Sequence, residues 1–221
     1  MDLQKNKYLK IFSLILFAIS FSACSSEQNY LVNLSFVKDA IINYHESGRF
    51  DKDVTEAIEK TKKEFDKITP AKNSVVIFDV DATSLSDYTF DKNWDFGYIE
   101  KDYNMWIDSA NAKAVPGVLD FYNYLIDRGF KIIFITGRKD FQYGATMKNL
   151  KEVGFTKFDT LIVKDKAHYE TIAAIYKPEM RAQLVAHGYK IEGTLGDQWS
   201  DLKGPNHGIQ IKIPNYQYLI K

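Results

Sequence analysis

The chain has 221 residues, enough for one ordinary domain with a small insertion, because single domains commonly contain about 100–200 residues. Its 29 basic and 29 acidic residues give a formal net charge of +0, which excludes the broad basic surface that docks nucleic acid. With Cys24 as its single cysteine, an intrachain disulfide is excluded, and no cysteine and histidine residues have the spacing of a zinc site.

Residues 1–23 have the pattern of a signal peptide. Three lysines precede an apolar run at 11–21, and the small residues Ser22 and Ala23 lead to Cys24. The apolar run is shorter than the roughly 20 residues that a membrane-spanning helix needs. Export of the protein is therefore the favoured interpretation.

Ser22-Ala23-Cys24 resembles the bacterial lipobox, in which the cysteine is acylated and becomes the first mature residue. Phe21 stands where that motif usually has leucine. The resemblance implies lipid attachment at Cys24, with 24–29 as a polar tether, and a bacterial lipoprotein that faces the periplasm or the cell surface. A secreted protein in which Cys24 is incidental is the alternative.

Two amphipathic helices are predicted within 30–71, ahead of the main domain. Asp53 is the predicted N-cap of the second helix, with Glu56 three residues later, and Pro70 is predicted to end it. The apolar residues that recur at helical spacing are Leu34, Val37, Ile41, Val54, Ala57, Ile58, Phe65 and Ile68. We interpret these stripes as core packing.

From residue 72 onward, short apolar runs alternate with helical stretches. The predicted strands are 75–78, 131–135, 160–163, 191–195 and 209–213, and the predicted helices are 117–128, 141–153 and 178–187. Gly129, Gly154 and Gly188 follow the helices, at the position where glycine commonly ends one. This alternation predicts an α/β fold with a doubly wound parallel sheet.

The stretch 86–115 interrupts the alternation. It separates the first predicted strand from its helix and is rich in aromatic residues, including Trp94, Tyr103 and Trp106. Because sites in α/β proteins form at the carboxyl ends of strands, an insertion that leaves a strand there predicts a small cap over the site. Packing of the rings within an irregular loop is the alternative.

Two carboxylates, Asp79 and Asp81, follow the first buried strand directly. Alternating side-chain directions along extended backbone would let both face one ligand. Buried carboxylates are costly unless a cation or a proton accompanies them, so a metal site is a natural interpretation. An Asp-rich turn at a strand end is the alternative.

Two further strand ends carry polar residues. Thr136 can donate its hydroxyl to a phosphoryl oxygen and Gly137 permits close backbone approach, whereas Arg138 is either a phosphate ligand or a surface charge. At the end of a later strand, Asp197 is a candidate Mg²⁺ ligand. Asp201 is either an acid that supports the metal site or the N-terminal charge of the following segment.

Taken in order, four segments follow the motifs of the haloacid dehalogenase superfamily: Asp79-Val-Asp81-Ala-Thr83, Thr136-Gly137-Arg138, a lysine, and Gly196-Asp197-Gln198-Trp199-Ser200-Asp201. The last motif most resembles the subfamily IIIB acid phosphatases. That group includes class C-like bacterial lipoprotein acid phosphatases, and the plant acid phosphatase-like vegetative storage proteins are related to it. The resemblance covers residues 72–221.

The resemblance implies a role for each matching residue. Asp79 would attack phosphorus, and Asp81 would protonate the leaving group and later activate water. Asp79, the backbone carbonyl of Asp81 and Asp197 would hold Mg²⁺, and Thr136 would bind the phosphoryl group. Thr83, which ends the first motif, joins Thr136, Gly137 and Arg138 as a predicted substrate contact.

The lysine motif has more than one candidate. Lys177, expected just ahead of a helix, matches best, and Lys164 and Lys166 are rivals because they directly follow a strand. Ala82 stands where the family commonly has glutamate. Strand alternation suggests that this side chain points away from the phosphate, so the departure affects positioning rather than chemistry.

These features predict a Mg²⁺-dependent acid phosphatase acting on small phosphate monoesters, with nucleotides or aromatic phosphates stacking on cap residues. A raised pKa at Asp81 and an acidic pH optimum would accompany that role. A non-catalytic surface or storage lipoprotein and a phosphotransferase are the alternatives. No residue indicates an oligomeric state, and a nucleic-acid partner is not expected.

Overall fold

The computed structural model describes residues 31–220, and its compact unit begins at Leu34. The predicted signal peptide and tether, 1–29 with Cys24, lie outside the described residues. Within 31–220, no helix combines the length and the apolar character that crossing a membrane requires.

The elements of the described chain alternate strand and helix after two N-terminal helices. In chain order they are α1 (Leu34–Glu46), α2 (Arg49–Phe65), β1 (Ser74–Phe78), β2 (Leu85–Ser86), α3 (Tyr88–Asn93), α4 (Glu100–Ser109), β3 (Lys113–Ala114), α5 (Pro116–Asp127), β4 (Lys131–Lys139), a 3₁₀ turn (Asp140–Gln142), α6 (Tyr143–Glu152), β5 (Thr160–Lys164), α7 (Ala173–Ala186), β6 (Lys190–Gly196), α8 (Trp199–Leu202) and β7 (Ile209–Lys212).

The central sheet of the described residues has the strand order β5-β4-β1-β6-β7, and all neighbouring strands run parallel. The chain first places β4 and β5 on one side of β1 and then crosses to place β6 and β7 on the other. The order therefore reverses between β1 and β6, where a crevice opens at the carboxyl ends of the strands. The predicted doubly wound parallel sheet is confirmed.

Both faces of the sheet are buried, which explains the continuous apolar run of β1. Val76 and Phe78 pack into the larger core with α2 and α5, whereas Val75 and Ile77 pack on the opposite face with Tyr176 of α7. Every residue of β1 is buried. A strand covered on both faces needs apolar residues at consecutive positions rather than at alternate ones.

The second N-terminal helix starts four residues before the predicted N-cap. Gly48, with φ of +78°, is the N-cap of α2, and Asp53 lies inside the helix, where it accepts a 2.7 Å hydrogen bond from the Tyr44 hydroxyl. The N-cap prediction was wrong because burial of Phe50 draws an earlier turn into the helix. The α2 residues that fill the core are Val54, Ile58 and Phe65.

The segment 86–115 holds α3 and α4, and its ends are joined by the antiparallel pair β2 and β3. It also contacts α1. His45 of α1 stacks on Tyr88 with ring centroids 4.2 Å apart, and Glu46 pairs with Lys92. The first helix therefore supports this segment from outside the sheet.

Helix α7 begins at Ala173, five residues earlier than predicted, so Pro178 lies inside it. Burial of Tyr176 and Lys177 explains the difference, because packing of the first turn outweighs the hydrogen bond that proline cannot make. Lys177 is therefore a helical residue, not one just ahead of a helix.

Candidate active site

The chain turns sharply after the first carboxylate. The Asp79 amide donates to the Leu195 carbonyl at 3.0 Å and so prolongs β1 by one residue. The amides of Thr83, Ser84 and Leu85 then all donate to the Val80 carbonyl, and Ala82 has a φ of +52°. The strand alternation expected over 79–83 is therefore replaced by a turn, and the direction inferred for Ala82 from alternation has no basis.

Asp79 is buried and faces a cation from α7. The Lys177 ammonium donates to Asp79 Oδ1 and, at 2.6 Å, to Asp201 Oδ1. The ammonium of the rival Lys164 donates instead to the Thr171 carbonyl. The lysine beside Asp79 is thus Lys177, which is 98 residues later in the sequence.

Carboxylate oxygens of Asp79, Asp197 and Asp201 lie within 4.8 Å of one another, and all three residues are buried. Burial raises the pKa of the Asp79 carboxyl well above its usual value; Lys177 opposes this rise, whereas the neighbouring carboxylates add to it. Burial and Asp201 likewise raise the pKa of Asp197. Burial alone would lower the pKa of Lys177, but Asp201 and Asp79 hold it above its usual value.

This donor set fits a hard divalent cation. Three carboxylates cluster where one ammonium pairs with two of them, so negative charge is in excess. Mg²⁺ prefers oxygen ligands, often supplied by one or two carboxylates. Asp201 caps the start of α8, where its Oδ2 accepts from the Gln198 amide at 2.8 Å, and its Oδ1 pairs with Lys177. Asp79 and Asp197 are the carboxylates free of that capping role.

Three donors orient Asp197. The Thr83 hydroxyl donates to Oδ1 at 2.9 Å, and the side-chain amides of Gln198 and Asn215 donate to Oδ2 at 2.6 Å each. The Asp197 amide in turn donates to the Thr83 hydroxyl at 3.0 Å. Thr83 was expected to contact substrate. In the structure it is fully buried, and its hydroxyl orients Asp197 instead.

Gly196 is required by the packing at the end of β6. A Cβ at this position would lie 2.4 Å from Asp201 Oδ2. No larger residue fits without moving the carboxylate that faces Lys177.

Asp81 lies on the other side of the site and has a cation of its own. Arg138 contacts Asp81 Oδ1 through Nε at 2.8 Å and Nη2 at 2.7 Å, and the Thr136 hydroxyl donates to Oδ2 at 3.0 Å. Arg138 is buried, and its Nη1 donates to Thr146 at 3.0 Å. The surface-charge alternative for Arg138 was therefore wrong. Gly137, by contrast, is exposed, with open space where a Cβ would stand.

The pKa of Asp81 departs from the expected direction. Burial would raise it, but the Arg138 charge and hydrogen bonds from Arg138, Tyr103 and Thr136 hold the pKa of this carboxyl below its usual value. The predicted rise was wrong because the sequence does not show that Arg138 folds back onto Asp81.

The 86–115 segment adds Tyr103 and Asp87 to this side of the site. The Tyr103 hydroxyl lies 2.9 Å from Asp81 Oδ1 and 3.0 Å from Asp87 Oδ2. From the sequence, Tyr103 was predicted only as a stacking ring, and Asp87 and Asn215 were given no role. Their partners are 16 and 18 residues away in the chain, so no local sequence pattern pairs them.

Plant proteins are among the relatives that this chain resembles. Stem 31 kDa glycoprotein from Glycine max is 38% identical over 154 residues, which are 67% of this chain and 61% of that protein. Acid phosphatase 1 from Solanum lycopersicum is 33% identical over 150 residues, 66% of this chain and 59% of that protein. The chain thus spans less than two thirds of the length of these relatives.

A solved structure agrees in fold. The class C acid phosphatase from Bacillus anthracis, determined with tungstate bound, matches with a TM-score of 0.69 and 24% identity over 84% of this chain and 86% of that one. The family profile "HAD superfamily, subfamily IIIB (Acid phosphatase)" matches residues 15–221. With the four motifs meeting at one edge of the sheet, the chain belongs to subfamily IIIB, the acid phosphatases, of the haloacid dehalogenase superfamily.

Proposed function

We propose that this protein hydrolyses phosphate monoesters through a phospho-aspartyl intermediate on Asp79. The observation that most supports this is the buried Lys177 ammonium against Asp79, held on its other side by Asp201. A cation fixed beside a nucleophilic carboxylate is suited to the negative charge that a phosphoryl group brings.

The reaction divides into two steps. Asp79 attacks phosphorus, the bond from phosphorus to the leaving oxygen breaks, and Asp81 gives that oxygen a proton. Asp81 then takes a proton from a water molecule as the water attacks the phospho-aspartyl group, which releases phosphate and restores Asp79. Thr136 and Gly137 border the space beside Asp81 and are the proposed phosphoryl contacts.

Asp79, Asp197 and the backbone carbonyl of Asp81 are the proposed ligands of Mg²⁺. The ion, when bound, would neutralise charge on the phosphoryl oxygens. The excess of buried carboxylates over ammonium groups supports this assignment.

Small aromatic phosphates and nucleotides are the proposed substrates. Among the three rings of the 86–115 segment named from sequence, Trp94 is 39% exposed, whereas Trp106 is partly buried and the Tyr103 hydroxyl contacts two carboxylates. Trp94 is thus the most accessible of the three and the one proposed to stack on a base or an aryl group.

Hydrolysis of para-nitrophenyl phosphate by residues 25–221 tests the proposal. The assay is run from acidic to neutral pH, with Mg²⁺ or with a chelator, beside the Asp79→Asn variant. We expect turnover that needs the ion and is lost in the variant. A folded protein without turnover under any of these conditions would favour the non-catalytic binding or storage protein, and alkyl phosphate formed in added alcohol would favour phosphotransfer.

We further propose export and lipid attachment at Cys24. The basic residues, apolar run and Ser22-Ala23-Cys24 sequence support it. Cys24→Ala is expected to move the protein from the membrane fraction to the supernatant after cell lysis. An unchanged membrane fraction contradicts attachment at this residue.

A further inference from the structure

A cavity of about 320 Å³ lies next to Asp197. Trp199, Lys212 and residues of the segment 214–220 supply much of its lining. Its volume falls in the range of small-molecule sites, which is about 300–1,000 Å³. Asp79 does not line it, so the cavity is a space separate from the proposed phosphoryl site, with Asp197 as a shared wall.

Three large apolar side chains around this cavity are exposed. Trp199, Tyr216 and Leu219 are 49%, 62% and 71% exposed, respectively, although each contributes to the lining. Single exposed apolar residues are common on protein surfaces, but a group of them around one concave site is typical of a binding site. The Tyr216 ring is supported from behind by Tyr44, at 5.1 Å between ring centroids.

Two ammonium groups lie over the Trp199 ring. Those of Lys203 and Lys212 are 5.9 Å and 6.0 Å from its centre, and within residues 31–220 no carboxylate oxygen lies within 4.0 Å of either. Lys212 also lines the cavity, and its ammonium donates one hydrogen to the Ile213 carbonyl at 2.7 Å. An ammonium has three hydrogens, so Lys212 can still donate to a bound anion.

The Asp197 end of the cavity has the opposite charge. Both oxygens of this carboxylate already accept hydrogen bonds, Oδ1 from Thr83 at 2.9 Å and Oδ2 from Gln198 and Asn215 at 2.6 Å each. Asp197 therefore needs no donor from a ligand, and it repels negative charge. An anionic group in the cavity would accordingly face Lys212.

The wall formed by 214–220 is fixed although it contains no helix or strand. Asn215 Oδ1 accepts hydrogen bonds from the amides of Gln217 at 2.7 Å and Tyr218 at 3.4 Å. Gln198 Oε1 accepts from the Ile220 amide at 3.1 Å. A wall held in place before binding reduces the entropy that a ligand must overcome.

We propose that this cavity is a second ligand site, which takes a small aromatic compound carrying an anionic group. The aromatic ring packs against Trp199, and the anion accepts hydrogen bonds from Lys212. The charge of the cavity gives the ligand one orientation, with its uncharged end toward Asp197.

Isothermal titration calorimetry with 2-naphthoate tests the ligand class. We expect a Kd of about 1 mM or lower, the affinity that ligands of this size commonly reach. 2-Naphthamide has the same shape without the charge and should bind about 10-fold more weakly, because hydrogen bonds to charged groups are the stronger ones. Acetate, which has the charge without the ring, should show no binding. Equal affinity for the acid and the amide overturns the proposal.

Two variants locate the bound compound. Trp199→Leu and Lys212→Met should each weaken binding of 2-naphthoate by about 10-fold, through loss of ring stacking and of the charged donor. Trp94→Leu is the matched control for the ring, because Trp94 is also partly exposed, at 39%. Lys60→Met removes an exposed ammonium of α2. Both controls should bind as wild type does, and a loss in Trp94→Leu equal to that in Trp199→Leu overturns the assignment to this cavity.

Hydrogen exchange of the wild-type protein adds a readout that needs no variant. At ten times the Kd of 2-naphthoate, exchange of the Gln217, Tyr218 and Ile220 amides should slow by about 10-fold, since a ligand that binds only the closed segment opposes its opening. Unchanged exchange in this segment at saturation overturns the proposal. None of these measurements requires turnover, so failure of the second site and failure of the proposed phosphatase are distinguished.

Discussion

Asp79 and Asp81 stand two residues apart, yet the protein holds them in opposite electrostatic states. Asp79 shares the Lys177 ammonium with Asp201 and lies near Asp197. Burial, together with the neighbouring carboxylates, raises the pKa of Asp79 against the effect of Lys177. Asp81 has the Arg138 guanidinium to itself, and its pKa is lowered.

The two surroundings also differ in origin. The partners of Asp79 come from β6, α7 and α8, which belong to the sheet and its covering helices. Those of Asp81 come from β4 and from the 86–115 segment. The difference teaches that the sheet and its helices surround the proposed nucleophile and the proposed cation site, whereas the surroundings of Asp81 are shared with the inserted segment.

The largest expected effect is on the Asp79 side. Asp79→Asn should lower kcat on para-nitrophenyl phosphate by at least about 10⁴-fold, because the amide cannot attack phosphorus. Circular dichroism and the thermal midpoint should stay near those of wild type, since shape is kept. Retention of a tenth of the activity would remove Asp79 from the mechanism.

Lys177→Met tests the shared cation. Removing one donor to a charged transition state typically costs about 10²–10³-fold in kcat. Breaking a buried ion pair should also lower the free energy of unfolding by about 3–5 kcal/mol, measured by urea titration. Lys164→Met is the matched control and should lose much less activity, because this buried ammonium donates to the Thr171 carbonyl and lies 5.7 Å from the centre of the Tyr176 ring.

Arg138→Gln should leave Asp81 buried without a cation, so its pKa should rise above the usual value. In wild type, the lowered pKa of Asp81 gives stability that is present above its unfolded pKa of about 3.9 and lost as pH falls through the folded pKa. The variant instead gains stability as pH falls through the raised pKa. The free energy of unfolding of the variant should therefore lie furthest below that of wild type at pH 7, and the difference should shrink toward pH 4. A difference that does not change with pH contradicts the Arg138–Asp81 pairing.

Thr83→Val should have the smallest effect and act on the Asp79 side alone. Loss of the hydroxyl that orients Asp197 should raise the Mg²⁺ concentration for half-maximal activity by about 10-fold, since partners of metal ligands typically contribute 10–100-fold. The ratio of the rates on para-nitrophenyl phosphate and on phenyl phosphate, a poorer leaving group, should stay unchanged. A changed ratio would mean that the Asp79 and Asp81 sides of the site are not separable.

The sequence predicted the sheet well, because each strand carries its own signal. Apolar runs marked β1, β4, β5, β6 and β7 within a few residues, and the motif residues at their ends do converge. Predictions failed where distant residues decide the outcome. Asp53 and Pro178 were the expected helix starts, but burial of Phe50 and Tyr176 makes α2 and α7 begin earlier in the chain. No local pattern shows that Arg138 and Tyr103 meet at Asp81.

Helix α2 has a consequence for how the protein can be cut and recombined. Val54, Ile58 and Phe65 are at most 1% exposed, so a fragment starting at residue 72 would keep every motif but lose one wall of its core. Truncating buried side chains of this size costs about 2–5 kcal/mol each. The shortest stretch that carries the chemistry is thus smaller than the cooperative folding unit, and chimaeras with other family members should exchange the N-terminal helices together with the sheet.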